Sequence, residues 1–309
     1  MNYSICFVIA PQNKGWILDR IAHEIGDRLG SATYCYDLSS IPQADRYIIM
    51  HYSLAPLVFQ SINPVAKPCT VFFTHESSDV SQYVDSLNLC HSIIAENQAS
   101  VDLLESRGLK SELLHFIPEV GDPKRFIPHD RTGRGQVLLA GAFYDRKNPN
   151  LIMEVVKHSP RKYTLIGKDW PRWQHFGELF DLPNFRYLEL DYTGYAKVYA
   201  ECDVFLSCST LEGGGPNSLI EAMHANLTPV ASDTGNSNEY IQHGYNGFIF
   251  PINSSHEHVC DLIEKAYKLN TKMKPPYNDV WQTVQDFNYD AYSKQWNEVF
   301  TGKYVNDTV

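Results

Sequence analysis

Short apolar runs alternate with amphipathic stretches along the whole chain. In the first half, residues 5–10, 33–36, 47–50, 70–74, 92–95 and 112–116 have the length and apolar content of strands. In the second half the same holds for 137–141, 163–166, 187–190, 204–207, 229–231 and 248–250. Between these runs the period changes. Ile17, Leu18, Ile21, Ala22, Ile25 and Leu29 form a stripe along one helical face, and 100–107 and 151–156 form others. Near-continuous apolar strands that alternate with helices predict parallel sheets covered on both faces. Two sets of about six strands predict an α/β chain of two Rossmann-like domains.

The segment 117–135 interrupts the alternation with three prolines and three glycines and reads as an interdomain linker. The expected division is 1–120, 121–285 and a C-terminal helical segment 286–309 that packs back towards the N-terminal domain. Within that segment 290–300 reads as a closing helix, with Tyr292, Trp296 and Phe300 on or near one face.

Chemistry concentrates in one run, Leu211-Glu-Gly-Gly-Gly-Pro-Asn-Ser-Leu-Ile-Glu-Ala-Met223. It follows a predicted strand, and Pro216 suits the first turn of a helix through 218–223. Glycines that feed a helix N-terminus present unpaired N–H groups and a positive dipole end, a combination that binds phosphate. Glu212 and Glu221 bracket the turn. Carboxylates repel phosphate but accept hydrogen bonds from hydroxyls, so phosphate with hydroxyls points to a nucleotide sugar. Taken alone, the three glycines are equally compatible with an ordinary loop, and Glu221 with a solvated helix face.

Composition narrows the field. At 309 residues with a formal net charge of −10, the chain lacks the basic balance of a nucleic-acid binder and of a strong electrostatic dock on anionic lipid. No apolar run reaches the roughly 18 residues of a membrane span, and 1–10 reads as a buried strand instead of a signal peptide. The seven cysteines are scattered without a Cys-x-x-Cys pair, so packed, reduced thiols in a cytoplasmic protein are expected. Membrane association, if any, is expected to be peripheral at the inner face. His224, His243, His256 and His258 show no metal-ligand spacing, and His256 and His258, two apart, would not face together on a helix. No metal and no cofactor beyond the donor substrate are expected.

Taken in order, Ala140-Gly-Ala-Phe-Tyr-Asp-Arg-Lys147, Leu165-Ile-Gly167, Glu212 to Met223, Pro229-Val-Ala-Ser-Asp-Thr-Gly235 and Gly244-Tyr-Asn-Gly247 resemble the donor domain of GT-B glycosyltransferases, of the retaining family-4 type. The resemblance covers most of 90–250, with Ile117-Pro and Asp122-Pro-Lys-Arg-Phe126 at the domain joint. The first ninety residues match loosely, on the acceptor side. It implies two Rossmann-like domains with a cleft between them and a metal-independent, retaining transfer from a UDP- or GDP-sugar to a glycan, glycolipid or small-molecule acceptor. It also implies residue roles. Glu212 would reach hydroxyls of the donor sugar, and Glu221 the ribose. Backbone groups of Gly214, Gly215, Pro216, Asn217, Ser218 and Leu219 would meet the diphosphate, with Gly141 beside it and Lys147 neutralising it. Gly15 would let a helix N-terminus approach the phosphate, and His75 would lie near the reacting sugar. His51, at the end of a similar apolar run, is a lesser candidate for the site.

Three departures from the family pattern bear on this. Eight residues instead of seven separate the two glutamates, a surplus glycine that either bulges harmlessly or shifts Glu212 off the sugar. An arginine expected just after the strand glycine is Ala142, for which Arg146 is the candidate replacement. The stretch from Glu221 to Pro229 is one residue longer than usual, with Asn226 as a left-handed helix stop. A sugar-nucleotide 2-epimerase or a non-catalytic sugar-nucleotide-binding subunit are the alternatives. Donor turnover with and without acceptor separates the three.

Overall fold

The computed structural model describes residues 3–130, 132–214, 216–272 and 280–303. The chain forms two compact units. One runs to Glu119 and takes in the chain from Tyr289 onward, and the other runs from Val120 to Asn288.

The first unit carries β1 (Ile5–Val8), β2 (Ala32–Cys35), β3 (Arg46–Ile49), β4 (Cys69–Phe73), β5 (Ser92–Ala95) and β6 (Leu114–Phe116). They form one parallel sheet in the order β2-β1-β3-β4-β5-β6. Helices α1 (Ile17–Leu29), α2 (Ala55–Val58), α3 (Val84–Leu87) and α4 (Gln98–Ser106) connect the strands. The apolar stripe read in the sequence buries Ile21, Ala22, Ile25 and Leu29 of α1. It leaves Ile17 exposed.

The second unit carries β7 (Val137–Ala140), β8 (Tyr163–Ile166), β9 (Phe185–Leu188), β10 (Val204–Ser207), β11 (Thr228–Ser232) and β12 (Phe248–Phe250). Their order is β12-β11-β10-β7-β8-β9, again all parallel. Its helices are α5 (Pro149–His158), α6 (Phe176–Phe180), α7 (Tyr195–Tyr199), α8 (Asn217–His224), α9 (Ser237–Tyr240) and α10 (His256–Lys272). The last helix, α11 (Tyr289–Thr301), belongs to the first unit. Tyr292, Trp296 and Phe300 form a ladder of edge-on ring contacts along its buried face, and Trp296 also meets Phe72 of β4. Arg28 of α1 donates to Asp290 at 2.7 Å.

Every strand expected from the apolar runs is present. The third strand of the second unit sits two residues earlier than its apolar pattern suggests, at Phe185–Leu188, because pairing with β8 sets its register. The proline- and glycine-rich segment is not a solvated linker throughout. Ile117, Val120 and Phe126 are buried. The Asp203 carboxylate, itself buried, accepts from the Thr132 and Gly135 amides and the Thr132 hydroxyl, each at 2.7 Å. A carboxylate that gathers several orphan amides holds an irregular chain against the sheet without regular structure. All seven cysteines are free thiols, six of them buried.

Candidate functional site

In an open parallel sheet, ligands bind beyond the carboxyl ends of the strands, where the strand order reverses. In the second unit that point lies between β7 and β10. The chain leaving β7 is Gly141 to Lys147, and the chain leaving β10 is Cys208 to Pro216. The topology therefore brings together two motifs some seventy residues apart in sequence.

They meet at Glu212, whose side chain is 6% exposed. Lys147 Nζ donates to Glu212 Oε1 at 2.5 Å, Arg146 donates to Oε2, and Ser209 Oγ donates to Oε1 at 2.6 Å. Burial alone would raise the Glu212 carboxyl, but Lys147 and then Arg146 outweigh it and hold it below its ordinary value. Arg146 also donates to the Leu211 carbonyl, and its own carbonyl accepts from the Thr210 amide at 2.7 Å. The strand-to-helix loop thus aims both cations at one carboxylate, although Ala142 stands where the family pattern has arginine.

Glycines shape the floor. Gly141 has φ 130°, a backbone conformation that favours glycine, and a Cβ there would make only ordinary contact with Lys147 Cε at 3.6 Å. Gly235, at φ 54°, lies so close beneath the turn that a Cβ would stand 1.8 Å from the Gly214 carbonyl oxygen. Gly214 is buried. Gly215 lies outside the described residues. Pro216 caps α8 and does not occupy its first turn, and its carbonyl accepts from the Leu219 amide at 2.6 Å. Ser218 Oγ donates to the Ala140 carbonyl at 3.2 Å, tying the start of α8 to the end of β7. Asn217 is half-buried and Leu219 fully buried.

Glu221 is buried on α8, and both its oxygens accept phenol protons, from Tyr192 at 2.5 Å and Tyr199 at 3.1 Å. Burial, with Glu221 next, pushes the Tyr199 hydroxyl well above its ordinary value, so it stays a donor. A carboxylate has about four acceptor positions, and two phenols leave room for further donors. Asn226 ends this region at φ 72°, the left-handed stop expected of it.

The first unit holds Gly15, His51 and His75. Its strand order reverses between β1 and β3, so Gly15 and His51 follow the two strands that flank that reversal. Gly15 has φ 78° with open space where a Cβ would stand, and its amide donates to Asp19 at 2.7 Å. Conformation, not crowding, is what calls for glycine there. His75 is exposed just past β4. His51 stacks on Tyr52, bonds Ser53 and Ser77, and is lowered in pKa by burial and by its neighbour His75.

Tyr192, Tyr199 and Ser209 were not singled out in the sequence. Ser209 carries one usable signal, its place just past a buried strand. The tyrosines carry none, because their contact with Glu221 depends on how the chain between β9 and β10 packs over α8.

The glycosyl transferases group 1 family matches residues 122–279. A stretch of 73 residues is 37% identical to the GtfA subunit of a UDP-N-acetylglucosamine–peptide N-acetylglucosaminyltransferase of Streptococcus pneumoniae, covering 23% of this chain and 14% of that protein. Among solved structures, Anabaena HepE in complex with UDP and glucose superposes with a TM-score of 0.78 at 14% identity, over 97% of this chain and all of the other. Sucrose-phosphate synthase from Thermosynechococcus elongatus superposes with a TM-score of 0.75 at 13% identity, over 97% and 98%. Among the described residues, no helix is long and apolar enough to cross a membrane.

Proposed function

Because the chain belongs to the group 1 glycosyl transferases, a family of GT-B glycosyltransferases, we propose that it moves a sugar from a UDP-sugar to a glycan, glycolipid or small-molecule acceptor, with retention and without a metal at the donor site. The observation that carries this is the cluster of Lys147, Arg146 and Glu212 beneath the glycine turn at the strand-order reversal. Uridine is favoured over guanosine because the names of the streptococcal relative and of the HepE complex both specify it.

Glu212 pairs with both cations. A diphosphate carries more charge and competes for them. On donor binding, Lys147 and Arg146 pass to the diphosphate, and Glu212 turns to the hydroxyls of the sugar. As the bond from the anomeric carbon to the diphosphate oxygen breaks, negative charge grows on that oxygen. The two cations, the amides of the turn and the positive end of α8 meet it, and one such preorganised donor is worth about 3 kcal/mol. Two cations and a helix end supply what a divalent ion would otherwise provide. The acceptor hydroxyl bonds to the anomeric carbon on the face the diphosphate leaves, and its proton goes to the departing phosphate oxygen. Glu221 holds the ribose hydroxyls while keeping its two tyrosines.

Thermal unfolding with UDP-, GDP-, ADP- and TDP-sugars tests the donor assignment, since a ligand that binds the native state raises the midpoint. UDP-sugars should raise it, and Lys147→Ala should lose more affinity for UDP than for uridine. No shift with any of the four would sink the proposal. Transfer should persist in EDTA, and an inverted anomeric product would refute retention.

A further inference from the structure

Away from that site, α5 and α10 pack side by side. Buried Ile152, Val155 and Val156 of α5 and Val259, Leu262 and Ile263 of α10 belong to one core, and Cys260 Sγ donates to the Val155 carbonyl at 3.7 Å. Arg161, just past α5, grips Glu264 of α10 through two bonds of 2.6 and 2.5 Å. On this fixed scaffold three ligand-type side chains converge. Glu154 and His158 are four apart on α5 and so share a face, and His256 opens α10. One donor atom from each lies within 4.8 Å of the other two. The rings of His158 and His256 lie 4.3 Å apart and 30° from parallel.

We propose that Glu154, His158 and His256 form a zinc site that clips α5 to α10. Two imidazoles and one carboxylate are a borderline nitrogen–oxygen set, the kind that binds Zn²⁺ and leaves a fourth position to water. His158 Nδ1 lies 2.9 Å from the Glu154 carbonyl, its own helix's backbone. The same Nδ1 lies 3.8 Å from the Glu154 carboxylate; ligation through Nε2 would keep Nδ1 on the backbone carbonyl, an arrangement that commonly orients a metal-bound histidine. Tetrahedral bonds of about 2.1 Å place ligand atoms roughly 3.4 Å apart, so the side chains must close on the metal by rotation. The side chains have freedom to do so, at 53% exposure for His158, 40% for Glu154 and 25% for His256.

The charges nearby are balanced. His158 is the last residue of α5, whose negative dipole end favours a cation. The start of α10 opposes it, but Glu257, 3.3 Å from His256 Nε2, offsets that. Lys157 competes for Glu154 at 3.2 Å through a solvated pair, which is weak. From Pro149 to His158 runs about 13 Å of helix, so the clip is remote from Lys147 and plays no part in transfer.

The test is titration of the metal-stripped full-length protein with ZnCl₂ by calorimetry, alongside His158→Ala, His256→Ala and Glu154→Gln. Wild type should bind one equivalent. Each histidine variant should bind at least tenfold more weakly, with an unchanged metal-free melting temperature, and Zn²⁺ should raise the melting temperature of wild type only. Co²⁺ should give a visible absorption band of low-coordinate geometry in wild type that His256→Ala lacks. The inference is overturned if wild type binds no Zn²⁺, or if both histidine variants bind it as wild type does. Transfer rates should be the same in wild type and His256→Ala, so loss of the clip is distinguishable from loss of the donor site.

Discussion

Glu212 illustrates how a single residue's chemistry depends on its neighbours. A carboxylate taken from water is costly, and this one is held by two cations and a serine hydroxyl. Glu212→Gln removes the group that competes with diphosphate. UDP affinity should therefore hold or rise a few-fold by calorimetry, while transfer falls about 10- to 1000-fold through loss of a charged acceptor for the sugar. Transfer at the wild-type rate would mean that the surplus glycine has taken this carboxylate out of the reaction. Acid should reveal the same cluster. The unfolded carboxyl titrates in the ordinary glutamate range and the folded one below it, so the contribution of Glu212 to stability is present above that range. It is lost as pH falls through the folded value. In Lys147→Ala the loss should begin at higher pH in a series of thermal melts. Glu221 behaves differently. Glu221→Ala should weaken UDP binding by about 1–3 kcal/mol and also lower the melting temperature, because it takes the acceptor from the buried Tyr199 phenol and the half-buried Tyr192 phenol. Glu221→Gln keeps a partner for each phenol and should separate the two effects.

At the level of elements, the turn between β10 and α8 works because another glycine, Gly235, lies against it. Glu212, at the start of the turn, meets the loop from β7, and Gly235 is what permits the close approach of Gly214. Gly235→Ala would drive a methyl into the Gly214 carbonyl and force the turn upward. UDP-sugar affinity should fall at least tenfold by calorimetry, with the far-ultraviolet circular dichroism of the chain preserved. Wild-type affinity in that variant would show that the turn's position is unimportant for the donor. The start of α8 is fixed independently by Ser218 on the Ala140 carbonyl, so the helix itself should survive.

At the scale of the whole molecule, the first unit is completed by a helix from the far end of the chain. Its Tyr292 lies near Glu96, which follows β5. Glu96 is buried, its Oε1 has no hydrogen-bond partner among the described residues, and burial pushes its carboxyl up to about 8. Tyr292 of α11 faces it and is pushed well above its ordinary value by burial, then by Glu96 and Glu119. The folded chain keeps the Glu96 proton up to about pH 8, whereas the unfolded chain releases it in the ordinary glutamate range. Over that interval the folded state binds more protons, so stability falls as pH rises. Glu96→Gln should flatten this dependence and raise the melting temperature most near pH 8. An unchanged pH profile would place the ionisation elsewhere.

Much of the architecture was legible in the chain because it is carried by local periodicity. Alternating apolar runs specify the twelve strands found among the described residues, apolar stripes specify α1, α4 and α5, and a closing helix follows from aromatic spacing around Trp296. Glycines before Pro216 mark a helix start, and Asn226 marks its end, since backbone conformation at those residues depends on their own side chains. Pairing between distant side chains is of another kind. Lys147, Arg146 and Glu212 were readable one by one, but their contact exists because β7 lies beside β10 in the sheet. Tyr192 and Tyr199 on Glu221, His51 beside His75, and His256 against His158 and Glu154 likewise depend on strand order and helix packing. Spacing along the chain compared His256 with His258, two residues away, whereas its neighbours in space lie about a hundred residues earlier. Periodicity reports which face of an element is buried, and only the packed sheet decides what that face, and the loops at its edge, will meet.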